Sequence, residues 1–297
     1  MTSIISFRNV SYVVQNSNLL KKGKSKPILD KISFDITKGK ILSIVGETGS
    51  GKTTLAKLIS KILIPTSGEL IFNGKPFVKN KPYPIQLLFQ NTEDIINPFR
   101  KADNVLSDIK LEKDKREKTL ELIGIDKEML SKKGYQLSGG ERQRIALARI
   151  LLTQPEVLII DEPFSAQDPD SKFNFANLFR LLNKQFNLTI VIVTHEIDVL
   201  KNLADEVIVL YAGKLMEFGT FDEVIKKPLH PYSKFLFDAN EFKIDKIIKY
   251  EKYSDEINDL ACPFYVKCSF RSNDCKERLT EKSYSDRYCL CNYPLTD

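Results

Sequence analysis

Residues 41–53 read ILSIVGETGSGKT, an apolar stretch followed by a glycine-rich turn. The turn fits the pattern G-x-x-x-x-G-K-[ST], in which curled backbone N–H groups and a helix N-terminus bind phosphate. In such a loop the lysine reaches the β- and γ-phosphates, and the threonine hydroxyl lies on Mg²⁺. The position between a predicted buried strand and a predicted helix over 52–63 argues against a chance turn. The candidate phosphate-binding residues are Gly46, Glu47, Thr48, Gly49, Ser50, Gly51, Lys52 and Thr53.

A second apolar strand ends in two carboxylates, in the sequence VLIIDE at 157–162. Asp161 can hold Mg²⁺ through water, and Glu162 can polarise an attacking water. Acidic residues at a strand end indicate little by themselves. After a phosphate-binding loop at this distance they indicate nucleotide hydrolysis.

The sequence LSGGE at 137–141 opens a predicted helix and forms a second candidate anion site. Ser138, Gly139 and Gly140 would lie at the helix N-terminus, where backbone N–H groups can bind an anion. One nucleotide does not need two such sites in one molecule, so we expect the second to act across a dimer interface. An ordinary capped helix start explains Ser138 but not the full run.

Strands alternate with helices along the chain, which indicates a parallel α/β sheet. The expected fold class is α/β. It combines a P-loop NTPase core, an antiparallel β subdomain of N-terminal strands and hairpins, a helical subdomain and a small cysteine-containing tail. The turn at Asn73-Gly74 is a strong hairpin signal. The predicted boundaries are a domain over 1–240 with its helical part at about 91–153, a linker over 241–260 and a tail over 261–297.

Composition and charge exclude several classes of protein. With 42% hydrophobic and 28% charged residues, the 297-residue chain is not collagen-like, low-complexity or wholly disordered. Because it has no apolar run of roughly 18–20 residues and no signal-peptide pattern at its start, we expect a cytosolic protein. The net charge is +6, and residues 1–26 account for +5 of it. We expect a solvated basic arm and no nucleic-acid partner, with weak attraction to anionic lipid as the alternative.

All five cysteines lie between Cys262 and Cys291. A secreted disulfide scaffold would spread its cysteines through a small domain, so we expect local cysteine chemistry instead. The 37 residues from 261 to 297 are too few to bury a core, and a metal would supply cross-links. The Cys-x₅-Cys-x₆-Cys spacing matches neither a zinc ribbon nor a ferredoxin run, which leaves the metal open. Reduced thiols or a structural Zn²⁺ are the alternatives.

With these motifs in this order, residues 4 to about 240 resemble the ATP-binding subunits of ABC transporters. Gln90 falls at the family's Q-loop, and 137–141 reproduces its signature motif. SAQD at 165–168 resembles the D-loop with glutamine in place of the usual leucine, and THE at 194–196 resembles the switch-histidine segment.

The resemblance implies a role for each of these residues. It implies catalytic roles for Glu162, His195 and Gln90. It implies that Asp168 contacts nucleotide and that an aromatic residue stacks on adenine, with Tyr12 the nearest candidate and Val14 in the usual register. The implied Mg²⁺ ligands are Thr53, Gln90 and Asp161.

Further stretches resemble the oligopeptide, dipeptide and nickel importer ATPases. They are the lysine-rich insert at 16–27, FQ at 89–90 with NP at 97–98, HPYS at 230–233 and the tail from ACPF at 261–264. In that group the tail cysteines resemble ligands of a [4Fe–4S] cluster. The implied ligands are Cys262, Cys268, Cys275 and Cys291, with Cys289 as a substitute for the last.

The implied function is ATP hydrolysis that powers uptake of peptides or dipeptides, with nickel as the alternative cargo. ATP, Mg²⁺ and the cluster are the implied cofactors. The implied partners are a second ATP-binding subunit, identical or related, transmembrane permease subunits and, indirectly, an extracytoplasmic binding protein. The implied location is the cytoplasmic face of the inner membrane. A soluble ABC-type ATPase acting on ribosomes or DNA usually carries two cassettes, and a P-loop kinase has no use for LSGGE.

Overall fold

A computed structural model describes residues 2–14, 27–78, 83–89, 96–165, 168–240, 260–284 and 286–295. Their strands are β1 (Ser3–Tyr12), β2 (Leu29–Thr37), β3 (Ile41–Val45), β4 (Ser67–Phe72), β5 (Lys75–Pro76), β6 (Ile85–Leu88), β7 (Val157–Asp161), β8 (Thr189–Val193), β9 (Glu206–Tyr211), β10 (Lys214–Thr220), β11 (Glu281–Tyr284) and β12 (Arg287–Leu290). Their helices are α1 (Lys52–Ile59), α2 (Ala102–Ser107), α3 (Lys113–Ile123), α4 (Lys127–Ser131), α5 (Gly139–Leu151), α6 (Pro169–Phe186), α7 (Ile197–Leu200), α8 (Phe221–Lys226) and α9 (Pro231–Asn240).

The strands form two sheets. One is antiparallel with four strands in the order β2-β1-β4-β5. Its last two strands meet at Asn73 and Gly74, whose φ angles of 48° and 75° suit a tight hairpin turn. The other sheet has eight strands in the order β11-β12-β10-β9-β3-β8-β7-β6. The predicted α/β core with an antiparallel subdomain is confirmed.

Alternate residues of the central strands face two cores on opposite sides of the large sheet, as the period of a strand requires. Leu42 and Ile44 of β3 pack with the antiparallel sheet and α1. Ile41 and Val45 pack with the helical segment and α6. Every residue of β3, β7 and β8 is buried. These strands run parallel to one another, so their carboxyl ends lie at one edge of the sheet.

The helical segment between β6 and β7 consists of α2 to α5 and short turns. Gly124 ends α3 in a left-handed conformation with a φ of 74°. The predicted helix over 52–63 is shorter, since α1 ends at Ile59 and Lys61 is left-handed, with a φ of 62°. None of the helices within the described ranges is both long and apolar enough for a transmembrane span.

The C-terminal tail joins the large sheet, which the sequence does not predict. Its strands β11 and β12 form a hairpin, and β12 pairs antiparallel with β10, where Glu217 lies opposite Cys289. The Arg287 guanidinium donates a 2.7 Å hydrogen bond to the fully buried Glu217 carboxylate. That carboxylate also accepts 2.9 Å hydrogen bonds from the backbone N–H groups of Leu229 and His230. The buried charge is therefore well compensated.

Candidate functional site

The glycine-rich loop connects β3 to α1 and curls tightly. Gly46, Gly49 and Gly51 have φ angles of 152°, 82° and 105°, which favour glycine. A Cβ on Gly46 would lie 2.2 Å from the carbonyl oxygen of Leu210. A Cβ on Gly51 would lie 2.7 Å from a methyl carbon of Leu29. The loop can thus keep this shape only with glycine at these two positions.

Lys52 rests on the carbonyl groups of its own loop. Its ammonium donates hydrogen bonds to the oxygen of Gly46 at 2.8 Å and to that of Glu47 at 3.0 Å. Burial lowers the pKa of this lysine, and the carboxylates of Glu162, Asp161 and Glu47 oppose that shift. A phosphate oxygen can take the place of either carbonyl oxygen as the acceptor for the Lys52 ammonium.

Asp161 and Thr53 form a pair of oxygen donors beside this lysine. Asp161 ends β7, is buried, and accepts a hydrogen bond from the side chain of Thr53. Burial raises the pKa of its carboxyl, while the hydrogen bond from Thr53 opposes that shift. Its Oδ1 is buried and has no hydrogen-bond partner among the described residues. A hydroxyl and an unsatisfied carboxylate oxygen are ligands of the type that Mg²⁺ takes.

Glu162 and His195 lie in direct contact. The Nδ1 of His195 is 3.0 Å and 3.2 Å from the two carboxylate oxygens of Glu162. Glu162 has a left-handed backbone with a φ of 52°, and its N–H donates a 2.8 Å hydrogen bond to the carbonyl of Val193. Strained non-glycine residues of this type concentrate at functional sites. Two residues that follow separate parallel strands are thereby brought together.

The signature sequence caps α5. The Ser138 hydroxyl accepts a 3.2 Å hydrogen bond from the N–H of Glu141, whose carboxylate accepts a 2.8 Å hydrogen bond from the N–H of Ser138. Gly139 and Gly140 are exposed, and a Cβ on either would meet no atom of the described residues within 4 Å. From the same helix, the Gln143 amide donates a 3.2 Å hydrogen bond to the carbonyl of Pro163. This bond links α5 to the segment that follows Glu162.

The remaining candidate residues are Asp168, Tyr12 or Val14, and Gln90. Asp168 caps α6 and accepts hydrogen bonds from the N–H and hydroxyl of Ser171 at 2.9 Å and 2.6 Å, which hold the pKa of its carboxyl below the usual value. Tyr12 is half-buried and packs against the core beside the antiparallel sheet, while Val14 is exposed. Gln90 lies outside the described residues. The structure therefore brings Asp161, Glu162, His195 and the loop together.

Four tail cysteines are among the residues that line one cavity, together with aromatic and polar side chains. The side chains of Cys262, Cys268, Cys275 and Cys291 line it. Burial raises the pKa of the Cys262 thiol to about 12 and that of Cys268 to about 11. Within the described ranges no three donor side chains are placed to hold one metal ion.

Cys289 differs from these four cysteines because it is fully buried on β12 and does not line the cavity. A hydrogen bond to Cys291, together with burial, raises the pKa of the Cys289 thiol. The same hydrogen bond lowers the pKa of Cys291.

Sequence reasoning missed two residues at this site. The Tyr232 hydroxyl accepts a 3.0 Å hydrogen bond from the N–H of Glu47, and the Lys267 ammonium lies 3.6 Å from the Glu47 carboxylate. Tyr232 belongs to the HPYS stretch that marks the resemblance, but nothing in that stretch indicates a contact with the loop. Lys267 carries no recognisable signal.

Comparison with known proteins agrees with this geometry. A family model described as "ABC transporter" matches residues 29–165, and one described as "Oligopeptide/dipeptide transporter, C-terminal region" matches residues 216–275. The dipeptide transport ATP-binding protein DppF of Escherichia coli (strain K12) is 34% identical over 300 residues, covering 92% of this chain and 90% of that protein. The oligopeptide transport ATP-binding protein OppF of Bacillus subtilis (strain 168) is 37% identical over 229 residues, covering 71% and 75%.

A solved structure supports the fold. The structure of cbiO1 from Clostridium perfringens, part of the ABC transporter complex cbiONQ, has a TM-score of 0.67 and 26% identity, covering 76% of this chain and 92% of that chain. The chain therefore belongs to the ATP-binding proteins of ABC transporters. Within that class it belongs to the oligopeptide/dipeptide transporter family, because it also carries that family's C-terminal region. The predicted family is confirmed.

Proposed function

We propose that this chain binds Mg²⁺ and ATP, hydrolyses the ATP and thereby powers a peptide or dipeptide importer. The observation that carries the proposal is the meeting of Lys52, Asp161 and Glu162 at one edge of the large sheet, where their charges interact. Family membership supports the same assignment.

The side chains of the site suggest how hydrolysis proceeds. A phosphate oxygen is a stronger acceptor than a carbonyl, so the Lys52 ammonium would move from Gly46 and Glu47 onto the β- and γ-phosphates. Glu162 would accept the proton of the attacking water, and His195 would hold that carboxylate in place. Bound Mg²⁺ supplies positive charge against the phosphates. Its ligands would be Thr53, Asp161 and Gln90.

A second ATP-binding subunit would complete each site. Gly139 and Gly140 are exposed, and no neighbour within the described chain requires them to be glycine. With Ser138 they offer the N–H groups of a helix N-terminus to a nucleotide on the partner. Asp168 would lie at the same interface, and Tyr12 would stack on adenine. The γ-phosphate would then collect donors from both subunits and favour closure.

Permease subunits would dock near Gln90 and hold this chain at the cytoplasmic face of the inner membrane. An extracytoplasmic binding protein would act only through them. Nucleic acid has no part in this scheme, and the match to the C-terminal region of oligopeptide/dipeptide transporters argues against a ribosomal or DNA partner. Co-expression tests this assignment, since the chain should sediment with membranes only when cognate permease subunits are present.

ATP binding and phosphate release by the purified chain test the enzymatic part. The Lys52→Ala variant should lose tight ATP binding, because the ammonium is the loop's full positive charge against the phosphates. The control Lys118→Ala removes an exposed lysine of α3 and should bind ATP as the wild type does. A wild-type chain that neither binds ATP nor releases phosphate, alone or with permease subunits, would contradict the proposal.

We further propose that Cys262, Cys268, Cys275 and Cys291 hold an iron–sulfur cluster. The four thiols line one cavity, yet no three donors in the described part of the chain are placed for a single ion. The match of this region to the C-terminal region of oligopeptide/dipeptide transporters supports the cluster, and thiolates are the ligands that such clusters take. Such a group would add cross-links to a region that already packs on the main core and the large sheet.

Anaerobic purification tests the cluster. The wild type should be brown, with broad absorbance near ~400 nm. Cys275→Ser should remove the colour, whereas the control Cys289→Ser should keep it, because Cys289 does not line the cavity. A colourless anaerobic protein with stoichiometric zinc would contradict the cluster and leave the ATPase proposal standing.

A further inference from the structure

Glu47, the second residue of the phosphate-binding loop, is contacted by the side chains of three other residues at once. Its N–H donates to the Tyr232 hydroxyl at 3.0 Å, and its carboxylate lies 3.6 Å from the ammonium of Lys267. Its carbonyl accepts the 3.0 Å hydrogen bond from Lys52. The peptide on which Lys52 rests is thus fixed from the C-terminal part of the chain.

Aromatic packing connects Tyr232 to the cysteine tail. Its ring centroid lies 4.4 Å from that of Tyr211 and 5.3 Å from that of Phe264. Phe264 also meets Tyr211 edge-on, with ring centroids 5.6 Å apart and planes at 90°. Tyr232 and Phe264 are fully buried, so a shift of one would have to move the other.

Phe264 and Lys267 belong to one short segment, residues 262–268, bounded by Cys262 and Cys268. Backbone hydrogen bonds close its turn, from the N–H of Tyr265 to the carbonyl of Cys262 at 3.0 Å and from that of Lys267 to Phe264 at 3.0 Å. The Lys267 ammonium also lies 5.7 Å from the centroid of the Tyr211 ring. One hydrogen-bonded turn therefore presents both the ring that packs on Tyr232 and the cation that faces Glu47.

We propose that residues 262–268 position the phosphate-binding loop through Glu47, with Lys267 and Tyr232 as positioning residues for ATP binding. This inference rests on the proposed nucleotide site. The N–H of Glu47 donates to Tyr232, and the Glu47 carbonyl also accepts a 3.1 Å hydrogen bond from the N–H of Ser50, so fixing Glu47 fixes the turn that follows it. The segment pre-organises the loop and raises its affinity for ATP. By thermodynamic reciprocity, bound ATP stabilises the docking of residues 262–268.

Equilibrium ATP binding by the full chain, purified anaerobically, tests the first half. A Glu162→Gln background prevents turnover during the measurement. Lys267→Ala should raise the Kd for ATP about two- to fivefold, the range for a partly exposed ion pair. The matched control is Lys234→Ala, a lysine of α9 that pairs at 3.2 Å with Asp238 on the surface. Its Kd should equal that of the background.

A double-variant cycle separates positioning from general damage. Glu47→Gln removes the partner of Lys267, so adding Lys267→Ala to it should cause no further rise in Kd. In the otherwise wild-type chain, Lys267→Ala should raise KM and leave kcat at saturating ATP unchanged. Tyr232→Phe should also raise the Kd for ATP. If the Tyr232→Phe chain does not fold, the Lys267→Ala and Glu47→Gln variants still decide the question.

Hydrogen exchange tests the reciprocal half. Saturating ATP should slow exchange at the amides of residues 265–268 in the Glu162→Gln chain, and Lys267→Ala should reduce that protection. If the background chain binds ATP but the Lys267 and Tyr232 variants bind it equally well, the inference is overturned and the proposed function stands. If the background chain binds no ATP, the proposed nucleotide site itself fails.

Discussion

Two helices of this chain begin with glycine-rich sequences, and their glycines are required for different reasons. Before α1, Gly46 and Gly51 have φ angles of 152° and 105°, and a Cβ on either would collide with a neighbour. At the start of α5, Gly139 and Gly140 have no positive φ, and a Cβ on either would lie more than 4 Å from every atom in the described part of the chain. The chain's own packing therefore explains the first pair. It does not explain the second, which favours contact with another molecule.

Gly46→Ala should have the largest effect, because it replaces one of the two glycines, Gly46 and Gly51, that the chain's own packing requires. A Cβ 2.2 Å from a backbone oxygen, on a residue with positive φ, forces the loop out of shape. We expect ATP binding to be lost and the free energy of unfolding to fall by about 2 kcal/mol or more. ATP titration and urea unfolding measure both. If ATP binding is retained, the loop tolerates a Cβ at this position, and the glycines before α1 no longer differ from those at the start of α5 in this respect.

Glu162→Gln leaves the starts of α1 and α5 intact and removes only the carboxylate that would accept a proton from the attacking water. We expect the rate of hydrolysis to fall by about 10²–10⁴, the contribution of a positioned base, while ATP binding is retained. The variant should also accumulate as an ATP-bound dimer, since closure is no longer followed by hydrolysis. Phosphate release and gel filtration with ATP give the two readings. Wild-type turnover would remove Glu162 from the mechanism.

Ser138→Arg should block the second helix start without touching the first. A bulky cation at an exposed N-terminus should prevent a partner's nucleotide from approaching, so hydrolysis should fall at least about tenfold. ATP binding by the single chain should not change. Mixing this variant with Lys52→Ala chains should restore part of the activity, because one site then combines an intact loop with an intact signature. Heterodimers that form but regain no activity would argue against a shared site or indicate strictly coupled sites.

Gly139→Ala is the smallest change and the sharpest test of the contrast. The free energy of unfolding should stay within about 1 kcal/mol of the wild type, or rise, because alanine favours the helix and its Cβ would meet no described residue within 4 Å. Any loss should appear only in ATP hydrolysis by the pair. A clear loss of stability, measured by urea unfolding, would mean that α5 needs this glycine internally, contrary to what we infer.

The sequence predicts the parts of this molecule that local pattern controls. Buried strands, the loop after β3, the hairpin at Asn73 and the carboxylates after β7 each have a short-range signal. Since parallel strands end at one edge, the approach of Glu162 and His195 follows from that pattern as well.

Contacts between distant segments were not predictable in the same way. The hydrogen bond from Glu47 to Tyr232 joins residues 185 positions apart. The pairing of β12 with β10 depends on a four-residue strand whose ion pair, Arg287 with Glu217, spans 70 positions. No periodicity or residue spacing in the sequence predicts either of these two contacts. Likewise, α1 ends four residues early because the chain turns at Lys61, where no glycine or proline signals the end.

The pairing of β12 with β10 also has a consequence for solubility. Without residues 260–295, β10 would present an open row of backbone N–H and carbonyl groups, a template for strands of other molecules. With them, the strand at this edge of the sheet, among the described residues, is β11, which is only four residues long, carries Glu281 and Lys282 and is largely exposed. Short, charged strands resist edge-to-edge aggregation. The C-terminal hairpin thus protects the sheet against polymerisation, and a chain truncated before it would be prone to form insoluble assemblies.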